Sequence, residues 1–338
     1  MGNLQAQAVA QEMRRLINLE DEPGWNNCAV LARNHAYLKP LRAWCELNDV
    51  PYFLAADKET GLQVMRQRGF VRVVNALRIC ELPLTPSSAL HMLTPHLMDE
   101  HWAIFFDTAF MHLTVEVGDC QLSGRAVVDW LYEYARELRH QPRKGLYLGT
   151  VHSAKGLEFR HVGLLDSGWL DSPQKINDER RLYYVGMTRA EETLTLCEFS
   201  SGNPFSRQVS GAVLKSNFVG EHDARLDKGY KQLSLKEIDL SYAGREHPDS
   251  GIHAAIADLR PNDPLFLKPD HERFLILDGQ GREVGRTSKA FTPGIDIEQC
   301  QVAGILVRYT EDNGEEYRAG MKVDTWEVVV PRISGRSL

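Results

Sequence analysis

The dipeptide Gly-Lys occurs nowhere in the 338 residues of this chain. Without it there is no Gly-x-x-x-x-Gly-Lys-Ser/Thr loop, hence no backbone cradle for nucleotide phosphates and no loop hydroxyl for Mg²⁺. Cysteine is sparse: Cys28, Cys45, Cys80, Cys120, Cys197 and Cys300 are widely scattered and form no Cys-x-x-Cys pair. That spacing argues against a disulfide framework or a zinc site and predicts reduced, mostly buried thiols in a cytoplasmic protein. The histidines lack ligand spacing such as His-Glu-x-x-His, so no metal site is expected. No apolar run approaches the roughly 20 residues of a membrane helix, so no membrane partner is expected. The start, Met1-Gly2-Asn3-Leu4-Gln5, has no signal-peptide pattern. A net charge of −7 argues against indiscriminate nucleic-acid binding but leaves room for a local basic groove.

What is present, 43% hydrophobic and 25% charged residues, suits a globular protein of two or three domains. Leu4, Ala8, Val9, Met13, Leu16 and Ile17 recur at a helical period. Cys28 to Ala32 is a continuous apolar run, the mark of a buried parallel strand. A helix over 37–47, a strand over 50–54 and a helix over 64–82 follow, so the chain reads as α/β from its start. Residues 83–140 show helical spacing near 89–97 and 127–138 and read as a helical insertion. The sheet resumes near Tyr147. Polar residues 206–240 read as a linker. From Pro264 the pattern turns β, with strands at 265–267, 273–277, 302–309 and 326–330. Turns are predicted at Asp278-Gly279-Gln280-Gly281 and Glu311-Asp312-Asn313-Gly314, which suggests a small barrel or half-barrel within 241–335.

Chemistry concentrates between Gly145 and Phe199. Thr150 and His152 lie two apart at the end of an apolar strand and share a face. Such strand ends bind ligands in open α/β sheets. Gly156 permits positive φ after Lys155, and Glu158 offers a carboxylate at the start of the next strand. A polar strand end with ordinary turn chemistry explains the same residues equally well. Farther on, Glu179 to Ala190 reads as a helix carrying Arg180 and Arg181, with Gly186 inside it and Arg189 at its end. A guanidinium at an element boundary suits phosphate. The alternative is that these arginines pair with Glu158, Asp178, Glu179 or Glu191.

Two segments together carry a family resemblance. Thr150-Val151-His152-Ser153-Ala154-Lys155-Gly156-Leu157-Glu158-Phe159 resembles motif V of the superfamily 1A DNA helicases, the UvrD/Rep/PcrA group. Glu179-Arg180-Arg181-Leu182-Tyr183-Tyr184-Val185-Gly186-Met187-Thr188-Arg189-Ala190 resembles motif VI. Ala29-Val30-Leu31-Ala32-Arg33-Asn34 and Val50-Pro51-Tyr52 look like early strands of that family's second motor lobe, 2A. The short spacer between the motifs is similar to helicase-C segments fused to large RecQ-type helicases.

The resemblance implies a RecA-like parallel-sheet lobe over 1–82 and 141–205, a helical insertion over 83–140 at the 2B position, and a small mainly-β C-terminal domain. It implies that Arg189 reaches the γ-phosphate of ATP, that Glu158 contacts the ribose and that Gly156 shapes the approach. It further implies that Thr150, His152 and Lys155 contact single-stranded DNA. ATP and Mg²⁺ would be held mainly by an N-terminal helicase lobe, supplied in cis or in trans, and the chain alone would be inactive. A non-hydrolytic DNA- or partner-binding module is the alternative. Val162-Gly163-Leu164-Leu165-Asp166 mimics a Walker B strand, but Ser167 stands where a catalytic glutamate would be expected, so Asp166 reads as structural.

Overall fold

The computed structural model describes residues 2–21, 23–55, 62–93, 100–137, 145–170, 172–198, 204–209, 211 and 213–337. The chain begins with α1 (Gly2–Ile17), β1 (Cys28–Ala32), α2 (Lys39–Leu47) and β2 (Tyr52–Leu54). Helices α3 (Arg68–Arg78), α4 (Pro86–Leu93), α5 (Glu100–Val117) and α6 (Gly124–Glu137) come next. Then follow β3 (Leu146–Thr150), β4 (Phe159–Leu164), α7 (Ile176–Met187) and β5 (Ala190–Leu196). The remainder holds β6 (Lys228–Gln232), α8 (Gly251–Asp258), β7 (Leu265–Asp270), β8 (Arg273–Asp278), β9 (Glu283–Arg286), β10 (Ile295–Tyr309), α9 (Glu315–Arg318) and β11 (Thr325–Ser337). Among the described residues no helix is long and apolar enough to cross a membrane.

The chain divides into two compact units. One comprises Met1–Lys58, His140–Gly229 and Arg336–Leu338; the other comprises Glu59–Arg139 and Tyr230–Gly335. The division falls at Lys58, so α3, read from sequence with the first lobe, lies in the second unit.

In the first unit a parallel five-stranded sheet has the order β2-β3-β1-β4-β5. Every residue of β1 is buried because both sheet faces are covered. Val30 and Cys28 face Val9, Met13 and Leu41, while Ala29 and Leu31 face Tyr147, Val162 and Tyr183. The buried stripe of α1 is offset from the expected one. Asn3 and Gln5 are buried in it, whereas Leu4 and Ala8 are half-buried. Hydrogen bonds make that tolerable: Asn3 Nδ2 donates to the Asp223 carbonyl (2.7 Å) and to Asp227 Oδ1 (3.1 Å), and Ser167 donates to Gln5 Oε1.

The second unit has two cores. Phe70, Val74 and Leu77 of α3 pack with Phe106, Phe110 and Leu131 of α5 and α6. A further core, centred on Ile256, Ile276, Val302, Trp326 and Val330, lies among α8 and two three-stranded sheets, ordered β10-β11-β6 and β7-β8-β9. The expected barrel is therefore replaced by two separate sheets. Strand β6 arises within the stretch read as a linker. The first predicted turn joins β8 to β9, with Gly281 at φ +79°. The second is replaced by a 3₁₀ turn at Thr310–Asp312 and the short α9.

All six cysteines are free. Burial pushes the thiols of Cys28, Cys45, Cys197 and Cys300 up to about 12. They are therefore weak nucleophiles at neutral pH.

Candidate functional site

The sheet register decides where the candidate residues fall. Thr150 pairs with Ala32 at the carboxyl edge of the strands, and Phe159 pairs with Ala190 at the amino edge. The segment 151–158 therefore crosses one face of the sheet from edge to edge, and α7 returns over the same face toward β5. Thr150 and His152 lie toward the carboxyl edge, Glu158 and Arg189 at the amino edge. The site is a strip rather than a single pocket.

At the carboxyl end, Thr150 is half-buried and structurally occupied. Its hydroxyl accepts from the Ser153 amide (3.2 Å), and its carbonyl accepts from Ser153 Oγ (2.8 Å) and the Ala154 amide (3.1 Å). Tyr147, buried on the same strand, donates to Ser153 Oγ. These bonds wind 150–157 into consecutive turns that leave His152 and Lys155 exposed. Gly156 has φ +86° with open space where a Cβ would sit, so its backbone conformation rather than a close contact calls for glycine.

Helix α7 packs tightly on this crossover. A Cβ at Gly186 would come within 3.0 Å of Val151 Cγ2, so glycine there serves close helix–sheet approach. Where the two elements face each other, a groove of about 290 Å³ is lined by His152, Lys155, Asp178, Arg181, Leu182 and Val185. The structure thus brings two of the three residues read as DNA-facing together with Arg181. Arg181 Nη1 lies 3.6 Å from Asp178 and both are highly exposed, while Arg180 reaches Asn177 at 3.5 Å.

At the amino end Arg189 is held by neutral acceptors. Nε donates to the Val185 carbonyl (3.0 Å), Nη1 to the Leu157 carbonyl (3.0 Å) and Nη2 to Thr188 Oγ1 (3.1 Å). Among the described residues Arg189 forms no ion pair, although Glu191 lies two residues on in the sequence and Glu158 adjoins its acceptor Leu157. The Phe159 amide donates to the Arg189 carbonyl (2.9 Å), which ties the Gly156–Glu158 run to the end of α7. Glu158 itself is exposed.

Sequence reasoning missed the pairing of Arg33 with Glu179. Arg33, just beyond β1, donates Nε and Nη2 to the Glu179 carboxylate at 2.9–3.1 Å. Those bonds hold the buried Glu179 carboxyl below its usual value and raise Arg33. Tyr184, 65% exposed on α7, also escaped notice; it follows Arg180 and Arg181 by one helical turn. Asp166 is buried just beyond β4. Glu20, His161 and Glu192 bring ligand atoms within 4.8 Å of one another. Arg160 already bridges both carboxylates there.

Residues 132–201 match the family described as the UvrD-like helicase C-terminal domain. The chain carries a UvrD-like helicase C-terminal segment. DNA helicase II of Escherichia coli is 40% identical over 82 residues, which is 22% of this chain and 11% of that protein. DNA helicase II of Haemophilus influenzae is 29% identical over 190 residues, 51% of this chain and 22% of its own length. The mitochondrial ATP-dependent DNA helicase HMI1 of Saccharomyces cerevisiae is 26% identical over 133 residues, covering 36% of this chain and 17% of that protein. The chain thus spans less than a quarter of the length of these relatives. All the residues singled out from Thr150 to Arg189 lie in the matched helicase segment; β6 to β11 lie beyond it.

Proposed function

We propose that this chain acts as the C-terminal motor lobe of an ATP-dependent DNA helicase. In this reading Arg189 reaches the γ-phosphate of ATP held by an N-terminal lobe in cis or in trans. Glu158 accepts from a ribose hydroxyl beside Gly156. Thr150, His152 and Lys155 face single-stranded DNA at the other end of the crossover, with Arg181 completing a basic rim. Because the chain has no Gly-Lys loop, its own residues fit the ribose and the outer phosphate but offer no cradle for the inner phosphates or for Mg²⁺.

The observation that carries this reading is the partnering of Arg189. A guanidinium oriented by carbonyls and a hydroxyl keeps its full charge, whereas one paired with Glu158 or Glu191 would have been neutralised. Preorganised, uncompensated charge of this kind is what stabilises a transferring phosphoryl group.

The test is Arg189→Ala in the complete helicase that contains this segment. ATP turnover is expected to fall about a thousandfold or more, while single-stranded DNA binding without nucleotide stays intact. Equal loss of both would mean that Arg189 only supports the fold. Unchanged turnover with DNA binding retained would favour a non-hydrolytic binding module. The chain by itself is expected to hydrolyse no ATP.

A further inference from the structure

A second concentration of arginine lies wholly in the other unit, outside the matched helicase segment. A cavity of about 620 Å³ is lined by Arg245, Arg273, Arg286 and Arg308, with Asp239 its one carboxylate. Three of the guanidiniums converge on a single atom. Asp239 Oδ2 accepts from Arg245 Nη2 (2.8 Å), Arg286 Nη2 (3.0 Å) and Arg273 Nη1 (3.1 Å). One negative charge cannot balance three positive ones. The fourth, Arg308, has its Nε 3.7 Å from Asp312, which is already engaged with Arg66 at 2.9 Å. Three nearby acids are committed elsewhere: Glu283 accepts from Tyr242, Glu237 pairs with Lys231, and Glu272 pairs with Lys289.

The same cavity collects donors that lack acceptors. Arg286 Nε, Arg308 Nε and Asn313 Nδ2 are buried and without a hydrogen-bond partner among the described residues. They make up half of the buried side-chain polar atoms in that condition. Asn313 is oriented for the role, because its Oδ1 accepts from Ser241 (3.0 Å) and its amide nitrogen is left over. Leaving buried donors unmet and like charges adjacent is costly unless an acceptor-only anion completes the set.

We propose that this cavity is a phosphate-binding site. Phosphate presents only acceptors, carries more than one charge when terminal or condensed, and matches the planar fork of arginine. The lining offers no free aromatic face for a base: Arg286 already covers the Tyr242 ring at 4.6 Å. Recognition is therefore of the phosphate and not of the nucleobase. The phosphate belongs either to a DNA strand or to a free diphosphate. The site does not depend on the motor-lobe reading, since none of its residues lies in the first unit.

Inorganic pyrophosphate is the probe, titrated calorimetrically into the full chain at low ionic strength, with thermal unfolding as a second readout. Binding is expected, with a raised unfolding midpoint. Arg273→Gln, which removes one charge, and Asn313→Asp, which replaces the spare donor with a carboxylate, should each weaken binding about tenfold or more. Circular dichroism reports whether each variant is folded. Competition by a single-stranded oligonucleotide, with and without a 5′-phosphate, then separates the sources. Displacement by either strand assigns the site to DNA phosphate, and failure of both assigns it to a free diphosphate. No pyrophosphate binding up to about 10 mM, tenfold weaker than a millimolar site, or binding that both folded variants leave unchanged, would overturn the proposal.

Discussion

The arginines of the motif strip in the first unit and those of the cavity in the second are held in different ways. In the first, Arg33 is matched by the bidentate carboxylate of Glu179, and Arg189 is fixed by neutral oxygens alone. In the second, three guanidiniums share one oxygen of Asp239. A matched pair adds rigidity and little else, because its charge is spent. An arginine on carbonyls has orientation and free charge, the combination a phosphate ligand uses. A shared carboxylate is intermediate: it orients several arginines while leaving an excess of positive charge. What an arginine can do is thus decided by its acceptors more than by its exposure.

The sharpest way to break this contrast is Asp239→Asn. Three arginines would lose their common counter-charge, and unfolding stability should drop by about 3–4 kcal/mol, read by denaturant titration. Added phosphate should restore more of that stability than it gives the unaltered chain. If phosphate restores nothing, the cluster is not short of anions. Next in size is Glu179→Gln. It strands only Arg33, whose side chain is 24% exposed, so a loss of about 2–3 kcal/mol is expected. Phosphate should offset less of it than of the Asp239→Asn loss. Equal phosphate responses in the two variants would erase the distinction drawn between the regions.

Acid titration affects both regions in the same direction. Asp239 is pushed up by burial, but its arginine partners together outweigh that and leave it below its ordinary value of 3.8. Hydrogen bonds from Arg33 hold Glu179 below 4.5. A carboxyl whose folded value is depressed binds fewer protons folded than unfolded. Its stabilisation is therefore complete above about pH 5 and is lost as pH falls through the depressed values, below about pH 4. Unfolding midpoints should decline over that window, and Glu179→Gln should flatten part of the decline. A variant curve parallel to that of the unaltered chain would show that the pair does not contribute.

Much of the first unit could be read from sequence, and for a physical reason. A strand buried on both faces, such as β1, must be apolar at every position, and the run from Cys28 to Ala32 is. The helix α5 was not legible because its apolar residues do not keep to one face; Phe106 and Leu113 are buried, yet Ile104 and Val115 are 61% and 84% exposed. Strand β10 begins seven residues before the predicted strand, at Ile295 rather than Val302. Asp296, Glu298, Gln299 and Gln301 mask its early alternation. The carry-over of residues from the helicase motifs named the crossover and α7 but could not reveal partners. Arg33 and Glu179 are 146 positions apart, and Asp239 and Arg286 are 47 apart. Only the order of strands and the packing of the second unit bring them together. Arg189 combines both cases: Val185 and Thr188 are local partners, whereas the Leu157 carbonyl is 32 positions away and is reached only because α7 returns over the crossover.

The smallest effect expected is at Arg181, and it separates a binding surface from a structural one. Its partner Asp178 is 81% exposed at 3.6 Å, so Arg181→Ala should change stability by no more than about 0.5 kcal/mol. Single-stranded DNA binding by the full chain should nevertheless weaken, and the slope of log affinity against log salt should shrink by about one phosphate contact. Lys155→Ala, across the same groove, should reduce the slope similarly. If both variants leave the salt slope unchanged while binding persists, the groove between the crossover and α7 does not face the strand. Among the described residues the arginine-lined cavity of the other unit would then be the next candidate for holding the strand's phosphates.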